Sequence, residues 1–144
     1  MTHRRFARMV LRASGLVLML LGAVHLIATP EIPHLLDGLP PKARSFAIGP
    51  TLLNHVLVGI LLLPLGFTTW LAAAERHLLE SWTRLVLGVN CLVVMSLPLA
   101  LVLFMRQPQY YRAPLFLAGA TLTGLAAISI AIAAWVATSA PRPK

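Results

Sequence analysis

Four long apolar stretches alternate with short polar ones along the chain, at residues 9–29, 52–74, 85–105 and 114–140. Each meets or exceeds the ~20 residues that a helix needs to cross ~30 Å of hydrocarbon. None shows the strict apolar–polar alternation of a barrel strand, and in lipid only helices and closed barrels satisfy their own backbone. The pattern predicts an all-α integral membrane protein with four transmembrane helices, forming one domain over residues 1–144. The short connections predict an up-down-up-down antiparallel bundle.

Composition narrows the class further. Of the 144 residues 58% are apolar and 11% charged, against about 45–50% apolar in a typical soluble chain. Mean hydropathy is +0.83. A soluble fold of this size has too little interior to hide that much apolar surface. The net charge of +8 would suggest nucleic acid if a folded soluble domain carried it as a basic face. No such domain remains once the four spans are assigned, so nucleic acid is excluded and the lipid bilayer is the first partner.

The same charges orient the chain. With the N-terminus inside, the inner side carries Arg4, Arg5, Arg8, Arg12, Arg76, Arg84, Arg142 and Lys144, and the outer side Lys42, Arg44, Arg106 and Arg112. Eight against four follows the positive-inside rule. Trp70, Trp82 and Trp135 fall at the inner interface and Tyr110 and Tyr111 at the outer one, where aromatic anchors belong. Both termini are expected in the cytoplasm, with the chain in the cell membrane. The start, MTHRRFARMVLR, resembles a twin-arginine signal, but no A-x-A cleavage site follows and the apolar run exceeds a usual signal core. The first span is therefore expected to stay in the protein.

Residues 75–84, ERHLLESWTR, read as a brief helical link with Glu80 and Arg84 spaced i,i+4 and His77 solvated. The longer outer link holds five prolines, and its IPHLL and PKARSFAI pieces suit short interfacial segments. Pro64 and Pro98 fall inside spans two and three, where proline frees a carbonyl one turn earlier. There is no internal repeat.

Against this apolar background two histidines stand out, in GAVHLIAT (22–29) and TLLNHVLVG (51–59). Steps of three and four along span one give Thr29, His25, Gly22, Leu18 and Gly15; along span two they give Thr51, His55, Gly59, Leu62 and Gly66. If these faces meet, the same residue types oppose each other at matching depths. The plain structural reading is a seam: small residues let membrane helices approach, and polar side chains bond across the contact. The sharper reading makes His25 and His55 a ligand pair, since ionisable residues within a membrane mark pathways, partners or cofactors. Two axial histidines hold a b-type haem between helices, while a chlorin magnesium needs only one. A third reading gathers His25, His55 and His34, with Glu31 or Asp37, around a bare metal ion, although no ligand spacing supports it.

Other candidates are weaker. Asn54, a quarter-turn from His55, suits a tie between helices; Asn90 and Cys91 lie in the inner half of span three. Cys91 is the only cysteine, so no internal disulfide exists. There is no phosphate loop, H-E-x-x-H, G-x-S-x-G or carboxylate pair within the membrane, and no enzyme is expected. Four small helices carrying membrane histidines resemble b-type cytochrome membrane anchors, in architecture alone. The expected function is a non-catalytic subunit or accessory of a larger membrane complex, associated with other membrane subunits or with its own copies. A haem- or chlorin-binding electron-transfer subunit with ligands His25 and His55 comes second. A small oligomeric transporter comes third, since no charged residue lies at mid-membrane.

Overall fold

A computed structural model describes residues 3–74, 77–78, 80–104 and 114–139. The described chain is helical, without strands: α1 (His3–Ala28), α2 (Ile32–Leu35), α3 (Pro41–Ala72), α4 (Ser81–Phe104) and α5 (Pro114–Ser139), with a 3-10 turn at Thr29–Glu31. Four helices are long and apolar enough to cross a membrane, and they match the four apolar stretches. The ends predicted at residues 105 and 140, and the Tyr110, Tyr111, Arg106 and Arg112 cluster, lie outside the described residues.

Prolines set the boundaries. Pro30 has no amide hydrogen to give to the carbonyl of Leu26, so α1 ends at Ala28 and the chain tightens into the 3-10 turn. Pro40, at φ −53° and ψ 144°, takes the extended backbone that a following proline demands, and Pro41 starts α3. The helix then runs 32 residues without a break, through Pro50 and Pro64. The PKARSFAI piece is therefore not a separate interfacial segment. It is the first two turns of α3, because alanine, lysine and arginine favour helix and nothing after Pro41 stops it.

The core is built from small and branched side chains: Ala7, Leu11 and Leu18 from α1, Leu62 from α3, Leu87 and Val94 from α4, and Ala127, Ile130 and Ala133 from α5. Alanine and glycine at these positions bring backbones close, which is how membrane helices gain packing where lipid offers no hydrophobic drive. The closest pairing is α1 with α3; α1 also packs on α5, and α5 on α4. The contact between α3 and α4 is the slightest of these packed pairs. Large apolar side chains such as Ile27, Leu53, Leu92, Phe104 and Leu115 face outward.

Of the 75–84 link, only the part from Ser81 onward is helical among the described residues. His77 and Leu78 lie in turns, and α4 begins only at Ser81. Glu80 does not meet Arg84. Its carboxylate accepts from His77 Nδ1 at 3.1 Å and from the indole N–H of Trp82. His77, expected in solvent, is only 25% exposed and stands edge-on to Trp82 with ring centroids 5.2 Å apart. The i,i+4 pair fails because the helix that would align it starts after Glu80.

Candidate functional site: a histidine pair on a glycine seam

The α1–α3 contact is backbone on backbone. A Cβ added to Gly15 would stand 2.6 Å from the carbonyl oxygen of Gly66, and one on Gly22 would stand 2.9 Å from that of Gly59. The relation is reciprocal: Gly66 would meet Gly15 O at 2.6 Å, and Gly59 would meet Gly22 O at 3.1 Å. Partner numbers fall on α3 as they rise on α1, so these two helices run antiparallel. Leu18 and Leu62 lie fully buried between the glycine pairs.

The histidines cap this seam. The rings of His25 and His55 lie 4.6 Å apart, centroid to centroid, with their planes tilted by 34°. Both are half-buried. The hydroxyl of Thr29 donates to the carbonyl oxygen of His25 at 2.8 Å, four residues back in the last turn of α1. A carbonyl can only accept, so the one hydroxyl proton is committed there. The 3.2 Å contact between Thr29 Oγ1 and His55 Nδ1 then requires the ring to donate. By the same logic the Nδ1–H of His25 donates to the carbonyl of Leu21 at 2.9 Å. Hydrogen bonding thus assigns one tautomer to both rings, with the proton on Nδ1. Each is left with an Nε2 lone pair. Thr51, placed on the same face by helical spacing, is half-buried and makes no hydrogen bond among the described residues. The hydrogen bond with His55 across the seam is made instead by Thr29.

This geometry bears on each ligand reading. A macrocycle ligated by both histidines would have to enter between rings already in contact. One turn deeper, Gly22 and Gly59 hold the backbones together and leave it no room. The residues present therefore do not fit a haem held between α1 and α3. The bare-metal set does not assemble either. Among the described residues no three of His, Cys, Asp and Glu come together. Asp37 is drawn instead into an ion pair with Arg44, whose guanidinium also donates to Pro33 O at 3.4 Å. His34 lies 3.6 Å from Asp37 with its side chain 72% exposed. The early start of α3 puts Arg44 on its first turns, close enough to α2 to pair with Asp37.

A second polar cluster, which sequence spacing does not bring together, joins α3 to α4. Asn90 is 4% exposed. Its amide donates toward Leu65 O at 3.1 Å, Thr68 Oγ1 at 2.9 Å and Thr69 Oγ1 at 3.0 Å. Both threonine hydroxyls donate back into their own helix, Thr68 to Pro64 O and Thr69 to Leu65 O. The proline at 64 and the asparagine at 90 were each visible in the sequence; their meeting depends on how α3 and α4 align. Cys91, next to Asn90, donates weakly to Ala127 O at 3.4 Å across to α5. Near the other end of the seam, Arg12 stands over the ring of Trp70 at 5.9 Å from its centroid, within range of a cation–π contact. Asn54 takes part in neither cluster: it is exposed and has no hydrogen bond among the described residues.

Compared with protein-family profiles, with curated proteins and with solved structures, the chain matches none.

Proposed function

We propose that the chain is a small polytopic membrane protein serving as a non-catalytic subunit or accessory of a larger membrane complex. Its four spans run up-down-up-down, with both termini in the cytoplasm and the His25–His55 pair in the outer leaflet. On this reading the histidines and glycines are structural: they lock α1 and α3 into one hairpin, and the exposed face of α3 around Asn54 is left for association.

The observation that carries the proposal is Asn54. It lies within the apolar part of α3, one residue before His55, yet its carboxamide is exposed and without a partner among the described residues. Around it, Leu53, Leu57 and Ile60 form an exposed apolar surface. An amide facing hydrocarbon with no hydrogen bond costs several kcal/mol, depending on the reference state. A neighbouring helix that satisfies it removes that cost, and polar side chains commonly join membrane helices in this way.

Extraction in a mild detergent tests the reading. The protein should migrate as an assembly far above its 15.6 kDa chain mass, and the Asn54→Leu variant should shift to smaller size while remaining helical. A functional single chain would overturn the reading.

A further inference from the structure

At the end of the bundle opposite the histidines, α4 and α5 part to leave an open groove of about 320 Å³. Leu87, Gly88, Cys91, Ala134 and Trp135 line it, with Arg84 at its mouth. We propose that this groove binds one phospholipid with a net anionic headgroup, its phosphate paired with Arg84 and one acyl chain lying over Gly88.

Three independent features point to that occupant. The first is shape and polarity. Nothing lies within 4 Å of where a Cβ on Gly88 would stand, so the missing side chain makes the groove floor, and the neighbouring leucine and alanine keep it apolar. A volume of this size falls within the range of small-ligand sites, but the lining offers no array of polar groups to orient a soluble ligand.

The second feature is charge. Arg84 is exposed, and among the described residues it has no ion pair or hydrogen bond. The carboxylate four residues before it, Glu80, is held by His77 and Trp82 instead. The guanidinium keeps its charge and presents donors that match phosphate oxygens two at a time.

The third is Trp135, which is 70% exposed on the groove wall. An exposed indole beside a cation and an apolar trough suits the boundary between headgroups and acyl chains. Arg84 and Trp135 then mark the headgroup level, and Cys91, two turns along α4 from Arg84, marks the depth reached by the chain. The proposal rests on the membrane reading above and is independent of the partner at Asn54.

Native mass spectrometry of the full chain in detergent, titrated with phosphatidylglycerol and with phosphatidylcholine of identical acyl chains, tests it. The wild type should retain one phosphatidylglycerol about fivefold more tightly than phosphatidylcholine, the worth of one cation near a lipid surface. Arg84→Gln should abolish the preference. Gly88→Leu, whose Cβ would have nothing within 4 Å and whose side chain would occupy the groove, should weaken both lipids, and Lys42→Gln at the other end should change neither. Phosphatidylglycerol should also slow maleimide labelling of Cys91 in the wild type, and at the same concentration should slow it less in Arg84→Gln. Equal affinity for the two lipids, an unchanged preference in Arg84→Gln, or Cys91 labelling indifferent to lipid would each overturn the proposal. A single chain that still holds the lipid would refute the subunit reading and leave this one standing.

Discussion

Gly15 of α1 and Gly66 of α3 face each other so closely that neither has room for a methyl group: each added Cβ would stand 2.6 Å from the other's carbonyl oxygen. The obstacle is backbone, which cannot rotate away as a side chain does. Gly15→Ala or Gly66→Ala must therefore push the helices apart and loosen the seam as far as the histidines. The expected cost is about 1–3 kcal/mol, the range for overpacking a tight contact. Reversible unfolding in mixed micelles measures it. Gly119→Ala serves as the control, since nothing lies within 4 Å of that position, and should stay within about 0.5 kcal/mol of the parent.

The histidine pair depends on the same approach. His25→Leu, His55→Leu and Thr29→Val should each cost about 1 kcal/mol, as hydrogen bonds between membrane helices do. Thr29 and His55 should be coupled in a double-mutant cycle, because their bond crosses from the turn that ends α1 to α3 at 3.2 Å. With no room for a macrocycle between the rings, the absorption spectrum of the purified protein should be the same before and after either histidine is replaced. A Soret band lost with His25 or His55 would revive the haem reading.

How much of this was legible in the sequence depends on how local each feature is. The glycine–histidine faces follow from steps of three and four on single helices, so Gly15, Gly22, His25 and their counterparts could be aligned from spacing alone. The start of α3 could not, because hydropathy marks where a helix enters lipid, not where it begins; the Pro40–Pro41 pair holds that information. The failure of the metal set has the same root, since extending α3 back to Pro41 delivers Arg44 to Asp37. Asn90 with Thr68 and Thr69 required knowing how α3 and α4 align, which no periodicity within either helix contains.

That asparagine cluster yields an asymmetric prediction. Asn90→Leu removes a donor and strands nothing, because Thr68 and Thr69 still bond to their own helix. It should cost about 1 kcal/mol. The double variant Thr68→Val, Thr69→Val leaves the buried Asn90 amide with only the carbonyl of Leu65, so it should cost more, by about 1–3 kcal/mol for the stranded donor. Because α3 and α4 touch so little elsewhere, cysteine pairs placed across these two helices should cross-link faster in both variants. Equal stability of the two would contradict the assignment.

Topology is tested by reporter fusions. Fusions after Lys144 and within residues 76–83 should read cytoplasmic, and fusions within residues 35–45 external. The expectation follows from the eight-to-four division of Lys and Arg. An external C-terminus would contradict this orientation; loss of the first span alone would leave the C-terminus inside.

The claim that this chain works as part of a larger assembly is tested most directly by native mass spectrometry of complexes ejected from membrane vesicles, without detergent. The account predicts a wild-type mass above 15.6 kDa; a whole multiple identifies copies of this chain, and any other increment a different subunit. Asn54→Leu should appear at the single-chain mass. A wild type found only as the single chain, or an Asn54→Leu assembly of undiminished mass, would contradict the account.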